Sequence, residues 1–187
     1  MVHHLLEETE HISVGESSYY NGIMKRKGRG QITVGSYCAF GENLHLIAGN
    51  NHNYNYAAIQ VAFYRKHFPT MRYPGHSPPI GIRIGSDVWI GDNVTILDGA
   101  DIGHGCIVGA GAVVPGKEYD NYSIIGGVPA RIIKARFPEY VKQALLGLRW
   151  WEKSSEWISS NPRLFCQDLS SLTHQEVDDL VASCTSV

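Results

Sequence analysis

Nine of the 187 residues are histidines. With a reference pKa of ~6.5, imidazole is the side chain best able to take a proton in one step and return it in the next. Their settings differ. His3, His4 and His11 belong to the start of the chain, His45 and His104 are expected on the flat faces of regularly repeating segments, and His76 sits in the proline-rich run Pro74-Gly75-His76-Ser77-Pro78-Pro79. His52 opens an irregular stretch that begins Gly49-Asn50-Asn51-His52 and carries Tyr54, Tyr56, Phe63, Tyr64, Phe68 and Tyr73. The four cysteines, Cys38, Cys106, Cys166 and Cys184, form no C-x-x-C pair, which argues against a zinc knuckle and a disulfide framework. Cys38 and Cys106 read as small buried hydrophobes. No metal site is expected.

Trp89, directly before Ile90 at an outward position, exposes a large apolar indole unless a ligand or a loop covers it. The basic run Lys25, Arg26, Lys27 and Arg29 is set between Asn21-Gly22 and Gly28-Gly30, and reads as a solvated hairpin tip.

These side chains are positioned by a period of six. Ile84, Ile90, Ile96, Ile102, Val108 and Val114 recur at that spacing, which matches neither the alternation of a strand nor the 3.6-residue turn of a helix. The chain must therefore turn a corner at each repeat, as in a stacked coil whose turns bury their apolar faces against one another. Val88, Val94, Ala100, Cys106 and Ala112 fill second, smaller inner slots; upstream, Val34, Phe40 and Leu46 continue the first set and Cys38 and Leu44 the second. Ile12-Ser13-Val14-Gly15, Ile32-Thr33-Val34-Gly35 and Ile82-Arg83-Ile84-Gly85 mark corresponding points on successive turns. The pairs Ser86-Asp87, Asp92-Asn93 and Asp98-Gly99 are turn residues expected outside, in water.

Between Leu46 and Ile82 the rhythm stops, so a long excursion leaves the coil. Such excursions from a regular scaffold carry function more often than packing. The coil ends near Ile125-Gly126-Gly127-Val128-Pro129-Ala130-Arg131, and Phe137-Pro138-Glu139 opens a helix with proline at its first position. Val141, Leu145 and Leu148 form its apolar stripe, leading to Trp150-Trp151. Thr173-His174-Gln175-Glu176 is a capping box opening a further helix. The tail helices are expected to cap the open end of the coil or to brace an assembly.

A hydrophobic content of 43% suits one domain with a real core. The net charge of -2 gives no footprint for nucleic acid or an anionic membrane. The start Met-Val-His-His-Leu-Leu-Glu-Glu lacks the basic patch and apolar run of an export signal, and no stretch approaches the ~20 apolar residues of a membrane span. A soluble, cytoplasmic protein is expected.

Four segments carry a resemblance: Asn51-His52, Asp87-Val88-Trp89-Ile90-Gly91, Gly109-Ala110-Gly111-Ala112-Val113-Val114, and Tyr122 to Arg131. The tail adds Trp150-Trp151 and Leu164-Phe165-Cys166-Gln167-Asp168-Leu169. From about Val34 to Leu172 the chain resembles the hexapeptide-repeat acyltransferases. Within them it resembles the xenobiotic acetyltransferase branch, which includes the hexapeptide-type chloramphenicol and streptogramin acetyltransferases. The resemblance implies an all-β solenoid, a left-handed parallel β-helix, over residues 1–136 with an extended loop at 50–80. Residues 137–187 form a C-terminal α-helical tail. The handedness follows from the resemblance alone, since parallel crossovers otherwise prefer the right hand. It further implies a homotrimer with sites between chains and acetyl-CoA, as acyl donor, in a groove between coils.

The resemblance assigns His52 as the catalytic base; such a base can serve direct transfer without a covalent intermediate, and Asn51, Tyr54 and Tyr56 are the candidates for the acceptor side. Trp89 lines the groove near the reactive end of acetyl-CoA, and Asp92 and Ala110 meet its extended arm through their backbones. Arg131, Lys134 and Lys117 are the candidates for its phosphates, a planar guanidinium being well matched to phosphate oxygens. Relatives carry Thr-Lys where this chain has Pro115-Gly116, and Lys117 is the available substitute.

An acetyl-CoA-dependent O-acetyltransferase acting on a hydroxylated small molecule or sugar is the expected activity. N-acetylation of a nucleotide-linked amino sugar is the alternative within the enzyme class. A noncatalytic assembly module has no use for His52, Trp89 and Arg131 together. A zinc hydrolyase of the γ-carbonic-anhydrase type expects an H-x-x-x-x-H pair, and no two histidines here are five apart.

Overall fold

The computed structural model describes residues 3–49, 51–71 and 75–184; Asn50, Tyr73 and Pro74, all expected in the excursion, lie outside the described residues. Short strands stack turn on turn into three sheets around a triangular core. One sheet has five parallel strands, Ile12–Val14, Ile32–Val34, Ile82–Ile84, Asp101–Ile102 and Glu118–Tyr119. Another has four, Met24–Lys27, Leu44–Ile47, Thr95–Leu97 and Val113–Val114. The seven-stranded sheet stacks Tyr19–Asn21, Ala39–Phe40, Trp89–Ile90, Ile107–Val108 and Ser123–Gly127 in parallel, with antiparallel strands His3–Leu5 and Ala130–Ala135 at its edges.

The six-residue rhythm is the cause of this register. Ile84 pairs with Ile102, eighteen residues on, and Ile12, Ile32 and Ile82 stack in one column. Both sets of inner slots are buried, from Phe40 and Leu46 through Ile90, Ile96 and Val108 to Cys38, Cys106 and Ala112.

Three corners join the sheets, and the first, between the five- and seven-stranded sheets, is tied from turn to turn by side chains. The Ser36 N–H donates to Ser86 Oγ at 3.1 Å, the Ser86 N–H to His104 Nδ1 at 2.9 Å, and the His104 N–H to Asn121 Oδ1 at 2.6 Å. Ser86, expected in water, is therefore buried at 5% exposure. A corner amide facing the next turn needs an acceptor, and a hydroxyl supplies one. His104 likewise belongs to the corner and not to a flat face. At the second corner, between the seven- and four-stranded sheets, Asn43 and Asn93 adopt φ of 56° and 58° and hydrogen-bond each other at 3.2 Å.

The basic run is not a hairpin tip. Met24–Lys27 is the edge strand of the four-stranded sheet, parallel to Leu44–Ile47. Its register puts Arg26 in the column of Leu46, so the guanidinium points toward the end of the core while Lys25 and Lys27 face water.

The tail is mainly helical, with Glu139–Leu148, Ser155–Ser160, Pro162–Cys166 and His174–Ala182 as its α-helices. Instead of closing the open end of the coil, it lies along the first corner. Trp150 packs on Tyr37 at 5.2 Å, Trp151 stacks on His104 at 4.6 Å, and Phe137 meets Tyr122 at 5.8 Å. Tyr122 joins Val141, Leu145, Trp157, Leu164, Val177 and Leu180 in a second core. Tyr37 and Tyr122 both have positive φ, a strained state for an aromatic residue, and the tail core holds both rings. Arg136 completes the seam, pairing with Asp87 at 2.9 Å and donating to the Gly105 carbonyl at 3.0 Å. Pro138 is the cap, not the first residue, of Glu139–Leu148, and the capping box at Thr173 and Glu176 is formed.

Candidate active site

The excursion leaves at the third corner, between Leu44–Ile47 and Ile82–Ile84, and its two arms run side by side there. Asp98, on the next turn, clamps their base. Its carboxylate accepts the Ile80 N–H at 3.1 Å, the Gly81 N–H at 2.8 Å and the Asn51 amide at 3.4 Å. The Ser77 N–H then donates to the Asn51 carbonyl at 3.1 Å, and His52 and His76 face each other in an antiparallel bridge. Their rings lie 5.0 Å apart at 56°. His52 is exposed, and a base must be reached by its substrate.

Beyond this stalk the chain opens out. Tyr54 and Tyr56 are 80% and 46% exposed, so Tyr54 stands free of its own chain and Tyr56 is only partly covered by it. The short helix Val61–His67 buries no residue, and Phe63, Tyr64, His67 and Phe68 pack mainly on one another.

Trp89 stands elsewhere, on the outer face of the seven-stranded sheet, 57% exposed. Register places Ala39, Trp89, Ile107, Ile124 and Lys134 in one row across that face. Trp89 and Lys134 are three strand steps apart, or ~14 Å at the usual strand spacing. Arg131 shares the strand Ala130–Ala135 with Lys134, and both are exposed. Asp92 and Ala110 lie one turn apart on the adjoining second corner, where the Gly111 N–H donates to the Asp92 carbonyl at 2.8 Å. Packing there is tight, since a Cβ on Gly91 would stand 2.7 Å from the Ala110 nitrogen.

Trp89, Asp92, Ala110, Arg131 and Lys134 thus share one side of the prism. His52, Asn51 and Lys117 are on another, because Lys117 follows Gly116 at the third corner, where it lies over the Tyr119 ring at 5.0 Å. Sequence reasoning passed over His76 and Asp98. One signal for the first was available: His52 lies six residues after the buried Leu46, and His76 six before the buried Ile82. For Asp98 a turn role hid the clamp. Among the described residues no group of three or more His, Cys, Asp or Glu side chains could hold a metal ion, and no helix is long and apolar enough to cross a membrane.

Residues 81–116 match the model of the bacterial transferase hexapeptide family, six repeats. A chloramphenicol acetyltransferase of Escherichia coli is 33% identical over 83% of this chain and 82% of its own. A probable macrolide acetyltransferase of Lysinibacillus sphaericus is 37% identical over 70% of this chain and 74% of its own. Among solved structures, a hexapeptide-repeat acetyltransferase of Vibrio cholerae, determined with acetyl coenzyme A, is 26% identical with a TM-score of 0.54. That likeness covers 69% of this chain, which spans only 62% of the Vibrio protein. The solenoid is accordingly the left-handed parallel β-helix of hexapeptide repeats. The chain belongs to the hexapeptide-repeat acyltransferases, in their xenobiotic acetyltransferase branch.

Proposed function

We propose that the protein, an acetyl-CoA-dependent acetyltransferase, moves the acetyl group to a hydroxyl of a small molecule or sugar by direct transfer, with His52 as general base. The exposed imidazole of His52, next to Asn51 on a stalk that Asp98 ties to the third corner, is the observation that carries this reading. His52 takes the proton from the acceptor hydroxyl as its oxygen attacks the thioester carbonyl. The same proton goes to the departing thiolate, so one residue closes the cycle.

The row from Trp89 to Lys134 supports the donor's placement. An apolar track of ~14 Å between an indole and a cationic strand suits an extended pantetheine arm with phosphates at its far end. Ala110 is exposed, and its backbone makes no hydrogen bond to the described residues, leaving both groups open to the arm's amides. Arg131 and Lys134 take the phosphate end. Lys117, on the third corner, reaches a phosphate only of a donor held against another chain.

His52 and Trp89 lie on different sides of one prism, so a homotrimer that sets the third corner of one chain against the seven-stranded sheet of the next would unite them. The apolar row on that sheet, partly exposed and centred on the exposed Trp89, and the exposed aromatics of the excursion support the arrangement. Asn51, Tyr54 and Tyr56 then border the acceptor, and a supply of acetyl-CoA favours a cytoplasmic setting. Thiol release from acetyl-CoA should be measured with chloramphenicol, a streptogramin, simple sugars and nucleotide-linked amino sugars. Transfer confined to an amino group would replace the hydroxyl reading, and transfer undiminished in His52→Ala would remove the base from it.

A further inference from the structure

The basic run ends at the corner from which the excursion leaves. Gly28 takes φ of 98° and the Gly30 N–H donates to the Ala48 carbonyl at 2.8 Å, so Arg29 sits on the third corner one turn from the stalk. The returning arm packs against this turn. A Cβ on Gly30 would stand 3.1 Å from the Pro79 side chain, and one on Gly49 2.6 Å from it. Arg29, His76, Ser77, Pro78 and Pro79 together line a cleft, and His76 carries that cleft to within one ring contact of His52.

Among the described residues that line it, Arg29 carries the positive charge and there is no carboxylate. Arg29 is exposed and makes no ion pair or hydrogen bond among the described residues. Lys27, two residues before it, is also exposed. Asp98, on a later turn, is committed to two amide N–H groups and the Asn51 side chain, while Glu10, on the preceding turn, is exposed and accepts the Gln31 amide through its carbonyl. A guanidinium offers a planar fork for a carboxylate or phosphate, and an exposed one needs little desolvation to use it. Ser77 adds a hydroxyl, and the prolines form a rigid wall.

We propose that this cleft is an acceptor subsite for an anionic group, a carboxylate or a phosphate, on a hydroxylated acceptor whose hydroxyl is directed at His52. Only that last direction rests on the function proposed above; binding of the anion does not. The acceptor is then an acidic molecule and not simply any hydroxylated one.

Calorimetric titration of the full-length protein with glucuronate, glucose 6-phosphate and glucose tests it. At least one anion is expected to bind roughly tenfold tighter than glucose, as for a charge-assisted hydrogen bond, and the stronger of the two identifies the group. Added salt should weaken that preference, and Arg29→Gln should abolish it without changing glucose binding. Anions that bind no tighter than glucose, or a preference that survives Arg29→Gln, overturn the proposal. So does an Arg29→Gln protein that loses coenzyme A affinity while keeping its anion preference, because the corner then serves the donor. Tight anion binding in a protein that transfers no acetyl group sinks the His52 reading and leaves this subsite standing.

Discussion

His52 and His76 stand ring to ring at 5.0 Å on the two arms of the excursion, and Asp98 clamps both arms at their base. A loop so long has no intrinsic reason to hold a base still. Here one carboxylate and one antiparallel bridge do so within a few residues of the rigid coil.

Replacing His52 with Ala removes the proposed base from an exposed position and so leaves the fold intact. Turnover should fall at least ~100-fold, with coenzyme A affinity and the melting temperature unchanged. Near-normal turnover on the true acceptor would exclude the role.

Asp98→Ala should loosen the stalk while leaving His52 in place chemically. A displacement of about 1 Å at a base costs up to ~100-fold in rate, so kcat should fall by ten- to a hundredfold. Limited proteolysis should cut the excursion sooner than in the wild type. Unchanged kcat together with faster proteolysis would show that the stalk's rigidity does not matter for transfer.

Trp89→Ala tests the donor row. The indole is more than half exposed in the single chain, so its loss should not unfold the coil. Covering it with the donor's arm would contribute ~1.5–3 kcal/mol, and acetyl-CoA affinity should drop about tenfold or more. Loss of assembly by light scattering with unaltered affinity per site would instead assign Trp89 to packing between chains.

The first corner predicts a pH dependence. His104 Nδ1 accepts the Ser86 N–H, which requires that nitrogen unprotonated. Burial above all, and then Arg83 and Arg149, hold the His104 pKa below its ordinary value of 6.5. A histidine lowered on folding contributes stability that is full above the unfolded value and is lost as pH falls toward the folded one. His104→Asn keeps an acceptor without the titration. Urea melts should show a flatter decline of stability below about pH 6.5 in that variant; identical slopes would rule His104 out as the cause.

The amino-acid sequence by itself determined the coil, its inner residues and its interruption. A six-residue period permits one way of burying Ile84 through Val114, and the burial of every slot named from it follows from that constraint. It also placed His52 at the mouth of the excursion and Trp89 on an outer face, since both are consequences of local register. Contacts between distant turns were not legible. Nothing in the spacing of Lys25 to Arg29 distinguishes a hairpin tip from an edge strand, because neither the partner strand nor the corner that receives Arg29 is adjacent in sequence. The tail's helices were readable from capping and stripe. Their seat along the first corner depends on Tyr37, His104 and Tyr122 being stacked on successive turns. The equal offsets of His52 from Leu46 and of His76 from Ile82 are a sequence signal, but only the tertiary structure shows the two rings meeting, with His52 and Trp89 on different sides of one chain. The pairing of the two arms is set by contacts between residues far apart in sequence, such as Asn51 with Asp98, which no local pattern carries.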